Sequence, residues 1–507
     1  MDFGTSYLWA EDGCELYYDA ANSGIASIFS VSNQGTLWII QRTLGYICYL
    51  LGYPFNSIAL FPTLLSIFTK LLETAAVFYF LSDKFSWIIK QKWVRFLIAT
   101  SVLLAIPQNS DDLINCDTSS PFIFTFTVFL IGINAFREEW KNISVFEIVF
   151  LVLVTLSSAA APFSVGVAGL YLVVYLIRNR KRLKKKDVKT NVIKNICILS
   201  IIIIAFAIQV YMIITSGRTN SVPLELFDRI VQNTLYFVWF PYCNYYFTSV
   251  AFLILGIVLI ITATYFTKIK AVIVLYSFGF SWMYLLMCSL TESVENFYAP
   301  LDTVVGTRYY AVPYQIAVFF VGWVAYRFWN NPKTRAVTIL LIITEGILLC
   351  SHYFVKGTGN ESQYVKIYDS NVASYDINGD TKLVIPIAPA LPYAIDFPIS
   401  LNNVTGSEGF ELKSIEEKHT GSVYNVDMTI NSNTAEIVKE AYVLVNDADY
   451  LMGSFDIENN VTGSNNEIKL DYEIYSNFKE TDNKYVVYLI LDNGKTVRLD
   501  IVDRNKV

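Results

Sequence analysis

Charge is scarce in this chain. Asp, Glu, Lys and Arg make up 16% of its 507 residues, against about a quarter in a soluble globular protein. The deficit is uneven. From about Asn56 to Val355 long apolar runs recur, with charge confined to short gaps, whereas Lys356–Val507 is polar and acidic. The contrast predicts a membrane part of roughly 350 residues and a soluble part of roughly 150, the size of one ordinary domain. Histidine is rarer still, with two in the whole chain. The seven cysteines form no CxxC pair and none lies beyond Cys350. Zinc-type clusters are therefore not expected, and the C-terminal part has no disulfide framework. The net charge of −6 argues against a nucleic-acid partner for the chain as a whole. No P-loop or Gly-rich nucleotide motif occurs, which argues against direct nucleotide chemistry. Met1–Ala10 has neither the basic nor the apolar region of a secretory signal.

Apolar stretches long enough to cross a bilayer need roughly 20 residues, fewer when the ends are anchored in the interface. About ten spans are read on that rule, near 56–81, 94–107, 121–136, 145–161, 163–178, 192–214, 247–266, 271–290, 309–328 and 334–354. Ala161-Pro162 marks a tight turn between two of them, because proline cannot donate the helical hydrogen bond there. Cations set the orientation. Arg178, Arg180, Lys181, Arg182, Lys184, Lys185, Lys186 and Lys189 form one run, read as a solvated cytoplasmic turn. Alternation then puts Lys84/Lys90/Lys92/Arg95, Arg137/Lys141, Lys268/Lys270 and Arg327/Lys333/Arg335 on the same side. The gaps 1–50, 108–120, 215–246 and 291–308 are poor in Lys and Arg and are placed outside. The C-terminal part faces outward with them. An outward N-terminus with no span before it leads to the expectation that a first transmembrane helix is missing.

Beyond Lys356, short alternating stretches such as Thr381–Pro386, Ser422–Met428, Tyr442–Val445, Ile468–Ile474 and Tyr485–Leu491 read as strands. Turn signals at Asn378-Gly379, Thr462-Gly463 and Asp492-Asn493-Gly494 punctuate them. Their spacing points to a β-sandwich. Two roles fit such a domain, binding carbohydrate or capping the membrane part. His419 sits among charged neighbours as a surface residue.

Candidate chemistry lies in the outer segments. The first holds Trp9-Ala10-Glu11-Asp12-Gly13 and, later, Gly35 to Gly45 with Gln41 and Arg42. Two adjacent carboxylates beside an aromatic ring at a membrane surface suit general-base work. The competing reading is that Glu11 and Asp12 start an interfacial helix, where acidic charge complements the dipole. A second acidic cluster is Asp111, Asp112 and Asp117, which is equally an ordinary acidic loop. The last outer loop ends on Arg308-Tyr309-Tyr310. Arg308 can grip a phosphate bidentately, or anchor the interface together with the tyrosines. Within the membrane, Lys70 and Glu73 are one turn apart and neutralise each other. No chain of ionisable groups crosses the bilayer, as it would in a proton-coupled transporter.

Four short motifs occur in order. They are Glu11-Asp12-Gly13, the segment Gly35 to Gly45 with Arg42, the turn Ala161-Pro162-Phe163, and Arg308-Tyr309-Tyr310 followed by Pro313. In that order the chain resembles bacterial polytopic membrane glycosyltransferases of the GT-C superfold. The resemblance implies an all-α membrane domain over 1–355, with the catalytic motif in an outer loop 1–54, followed by an extracytoplasmic β domain over 356–507. It implies transfer of a sugar from a polyprenyl-phosphate carrier to a cell-envelope glycan acceptor, in contact with membrane lipid. Asp12, or its neighbour Glu11, would be the catalytic carboxylate. Arg308 would hold the carrier phosphate, Asp111 or Asp112 would assist at the acceptor site, and Arg42 and Tyr309 would complete the substrate-binding set. A divalent cation is left open as cofactor. The chain departs from the pattern at Thr36, where tyrosine would follow the glycine, and at Ala161, where glycine would precede the proline. A glycan polymerase or flippase, and a non-catalytic scaffold with a binding C-terminal domain, are the alternative readings.

Overall fold

The computed structural model describes residues 12–32, 35–52, 60–105, 119–137, 142–157, 161–216, 271–291, 311–329 and parts of 332–343. Beyond these it describes 381–386, 394–399, 404–407, 409–420, 423–446, 450–453, 456–474 and 483–501. The chain divides into two compact units. One is Ile28–Leu44 with Ile67–Gly357, and the other gathers Met1–Ser27, Gly45–Ser66 and Thr358–Val507.

The described helices are α1 (Tyr18–Ser23), α2 (Ile39–Gly52), α3 (Leu60–Phe78), α4 (Lys92–Leu103), α5 (Ser120–Ile133), α6 (Val145–Thr155), α7 (Ala161–Asn179), α8 (Lys186–Thr215), α9 (Ala271–Thr291) and α10 (Ala311–Trp329). Among the described residues four helical stretches are long and apolar enough to cross a membrane: Leu60–Leu81, Ala161–Arg182, Lys186–Thr215 and Ala311–Trp329. Ser120–Phe136 and Val145–Thr155 are shorter apolar helices. The chain therefore reads as a membrane protein. The span expected near 247–266 lies outside the described residues, and that near 334–354 is described only in fragments. Pro162 is the second residue of α7, so it starts that helix, where its missing N–H costs nothing.

Within the helical unit α10 is buried on nearly every side, while α8 keeps Ile193, Ile204 and Ile214 exposed. An apolar helix whose outer face is also apolar suits a lipid surround. Phe129 on α5 anchors the packing. It stacks on Tyr276 of α9 at 5.3 Å between centroids and meets Phe280 and Phe319 edge-on at 5.5 and 5.6 Å. Side-chain hydroxyls also cross between helices to backbone carbonyls. Tyr276 donates to Phe129 at 3.2 Å, Tyr171 to Ile131 at 3.0 Å, and Thr127 to Ala76 at 2.8 Å. One turn along α5, Gly132 admits the Tyr276 hydroxyl so closely that a Cβ there would lie 1.9 Å from it.

The other unit contains two sheets. The larger runs β2 (Ala394–Ile399), β1 (Thr381–Pro386), β7 (Tyr450–Gly453), β6 (Val438–Val445), β10 (Tyr485–Leu491), β11 (Thr496–Ile501), β3 (Val404–Thr405). The smaller runs β4 (Phe410–Thr420), β5 (Val423–Ser432), β9 (Asn465–Ile474), β8 (Asp456–Thr462). Alternation places every second residue of β10 inward. Val487, Leu489, Val443 and Leu499 of the larger sheet share one core with Val426, Met428, Ile468 and Leu470 of the smaller. Two sheets around one core is the sandwich arrangement expected from the strand spacing. Gly463 and Gly494 both take positive φ, 67° and 80°, at the two described turn signals.

Candidate functional site

The first segment, read from sequence as an outer loop, is largely helical. Asp12–Tyr17 is a π-helical turn that runs into α1, and Gly24–Phe29 is a 3-10 helix. Asp12 and Glu15 both lie in the first turn, and both are buried, at 2% and 4% exposure. A helix start is where acidic charge meets the exposed amides and the positive end of the dipole. Tyr17 fixes the turn in place. Its ring meets Phe61 at 4.9 Å and Tyr49 at 6.0 Å, both near-perpendicular. Gly45 on α2 lets Leu16 approach, since a Cβ at Gly45 would lie 3.2 Å from the Leu16 Cβ.

The second half of the motif has a structural task of its own. Ser32 and Thr36 close a turn through Ser32 N to Thr36 O at 2.9 Å and a hydroxyl pair at 3.2 Å. Gly35 takes φ of 75° there and faces Ser216 at the end of α8, leaving no room for a side chain. Gln209 of α8 accepts from the Leu37 amide at 3.1 Å and donates to the Leu37 carbonyl at 3.3 Å. Ser157, just past α6, accepts from the amide of Ile40 at 2.9 Å, and its own carbonyl accepts from the Gln41 side chain at 3.3 Å. The amide of Ile39 donates to the Leu156 carbonyl at 3.3 Å. The first amides of α2, orphans in an isolated helix, are thus bonded by residues more than a hundred positions away. Packing and capping account for Gly35, Gln41 and Gly45 without invoking chemistry. Arg42, at 2% exposure, is a buried cation within the same helix.

Of the sequence-predicted site residues, Asp12 and Arg42 are therefore placed, both buried. Glu11, Asp111, Asp112, Arg308 and Tyr309 lie outside the described residues. Sequence reasoning missed Glu15, Ser157 and Gln209. Gln209 carried a signal, being the one amide in the apolar run from Ile201 to Ile214.

Three further polar clusters lie in the helical unit. Glu147, at the start of α6, forms a capping box with Ser144, accepting from its amide at 2.7 Å and its hydroxyl at 2.6 Å. Lys84 approaches the same carboxylate at 2.7 Å and Tyr79 donates to its other oxygen. Arg95, placed by alternation on the cytoplasmic side, is buried and donates to the Ser82 carbonyl at 2.8 Å. Lys70 and Glu73 pair at 3.1 Å, as their spacing on α3 implies. The Glu147 cluster joins the start of α6 to the segment after α3, whereas the Lys70–Glu73 pair lies within α3 and leaves one Glu73 oxygen buried without a partner.

The chain matches no family model, no curated protein and no solved structure.

Proposed function

We propose that this chain is a membrane glycosyltransferase of GT-C type, which moves a sugar from a polyprenyl-phosphate carrier to a cell-envelope glycan acceptor. The observation that carries the reading is Asp12, a carboxylate buried at the first turn of the N-terminal helical segment. Burying an ionisable carboxylate is costly and concentrates at functional positions. The ordered outer-segment motifs, which continue to Arg308 and Pro313, supply the rest of the support.

In the reaction, the carboxylate of Asp12 takes the proton of the acceptor hydroxyl as that oxygen attacks the anomeric carbon. The bond from that carbon to the carrier phosphate breaks, and the phosphate leaves with the electron pair. Arg308 and Tyr309 would hold that phosphate and stabilise its growing charge, with Arg42 assisting. Asp111 and Asp112 would orient the acceptor, and Glu11 would be the alternative base. The outer face of a cell membrane, with the domain 356–507 on the same side, is the location this reading requires. A full complement of about ten spans belongs to the same proposal.

The test is envelope glycan composition by mass spectrometry in a deletion strain, complemented with wild type, Asp12→Asn or Glu11→Gln. Asp12→Asn keeps the shape of the buried side chain, so protein level in the membrane is followed alongside. A sugar that disappears on deletion and returns with wild type but not with Asp12→Asn supports the assignment. Full restoration by Asp12→Asn removes Asp12 as the base, and unchanged glycans on deletion remove the transferase reading altogether.

A further inference from the structure

We propose that the turn joining α7 to α8 is a binding site for anionic phospholipid, with its cations on the phosphate-bearing headgroup and the flanking apolar side chains on the acyl chains. From Arg180 to Lys186 six of seven residues are cationic, and all seven are exposed. Asp187 is the one acid before Lys189. Among the described residues no carboxylate pairs with any of the six. A run of unpaired like charge repels itself, and its position makes matters worse. Lys185 and Lys186 open a helix of 30 residues, where the dipole presents positive charge and disfavours cations. An anion bound at the turn relieves both penalties.

The neighbouring residues say which kind of anion. Both helices that meet at this turn are long and apolar enough to cross a membrane, so the turn sits where a helical hairpin leaves the hydrocarbon. Ile177, one helical turn before Lys181, is 63% exposed, and Ile193, one turn after Lys189, is 61% exposed. Leu183 projects from the middle of the cationic run at 39% exposure. A soluble phosphate or an acidic polymer has no use for these apolar side chains. A phospholipid does: its headgroup meets the cations while its chains lie along Ile177 and Ile193. Clusters of several Lys and Arg beside a membrane helix attract anionic lipid strongly, with each cation adding to the effect.

The experiment uses the full chain purified into mixed micelles of equimolar phosphatidylglycerol and phosphatidylcholine, with retained lipid counted after detergent exchange. Wild type is expected to retain phosphatidylglycerol over phosphatidylcholine, and K181Q/R182Q/K184Q/K185Q to lose that preference by roughly tenfold or more. Raising salt until the screening length falls to a few ångströms should erase the preference, while K181R/K184R/K185R should keep it. Retention of the preference by the glutamine variant, insensitivity to salt, or displacement of the lipid by water-soluble glycerol phosphate would each overturn the assignment.

Discussion

Gln209 grips the peptide of Leu37 from both sides, accepting from its amide at 3.1 Å and donating to its carbonyl at 3.3 Å. The side-chain amide thereby acts as a neighbouring strand would, for a single residue of extended chain ahead of α2. Gln209 is buried at 1% exposure, so no water can replace it. Gln209→Leu keeps the volume and strands two backbone groups, which costs about 1–3 kcal/mol for each group left unsatisfied. Thermal unfolding of the detergent-solubilised protein should fall accordingly. Gln209→Glu should cost less than Gln209→Leu if it is protonated, since one donor and one acceptor then survive. Equal stability of wild type and Gln209→Leu would show that the clasp contributes nothing.

Glu147 organises a second junction. One carboxylate oxygen takes Ser144 twice and Lys84 once, and the other takes Tyr79. Glu147→Ala removes the capping box and the carboxylate that accepts from Tyr79, while Lys84 keeps its bond to the Ser144 hydroxyl at 2.9 Å. The expected loss is about 2–4 kcal/mol, combining a lost cap with a broken partly buried ion pair. Lys84→Met should cost less, because Lys84 is 36% exposed and its partner keeps three other bonds. A double-mutant cycle across Glu147 and Lys84 measures the coupling, and additive losses would deny it.

Length and hydropathy made the long apolar helices legible, since little else explains such runs in a charge-poor chain. Alternation did the same for β1, β5, β9 and β10. What escaped has physical causes. α2 was read as loop because its first amides are bonded by Leu156 and Ser157, partners that no local pattern reveals. β4 alternates charged residues whose compensation is across the sheet, as in Lys413 with Glu467 and Lys418 with Asp427. β2 contains Pro398, which speaks against a central strand, and it indeed lies at the edge of its sheet. In the candidate site, the motif located Asp12 and Arg42 but not their burial. A short polar motif reads the same whether its charges face water or protein.

Gly132 sets how closely α5 and α9 approach. Gly132→Ala would place a Cβ 1.9 Å from the Tyr276 hydroxyl and 2.9 Å from Val167, so a helix–helix contact must open. Overpacking of this kind costs about 1–3 kcal/mol, despite the better helix propensity of alanine. Gly132→Ala combined with Tyr276→Leu should recover part of the loss by vacating the contact. If the single variant is as stable as wild type, the two helices are not held at this distance.

The β-rich unit carries a pH dependence that does not involve the membrane. Burial pushes the hydroxyls of Tyr472 and Tyr485 well above the ordinary tyrosine range. Tyr442 is pushed up by burial and then by the carboxylate of Glu440, to which it donates at 2.9 Å. A raised folded pKa means that the fold favours the protonated ring. Its contribution is complete below the unfolded value of about 10, and it drains away as pH rises above that value toward the folded one. Strand signal in circular dichroism should therefore hold to about pH 10 and collapse above it. Tyr472 separates this from general alkaline damage, because its hydroxyl is buried with no hydrogen-bond partner. Tyr472→Phe removes an unsatisfied polar group, so at neutral pH it should be neutral or stabilising by up to about 1 kcal/mol. In alkali it should shift the collapse to higher pH. A variant that unfolds at the same alkaline midpoint as wild type would show that Tyr472 does not set the transition.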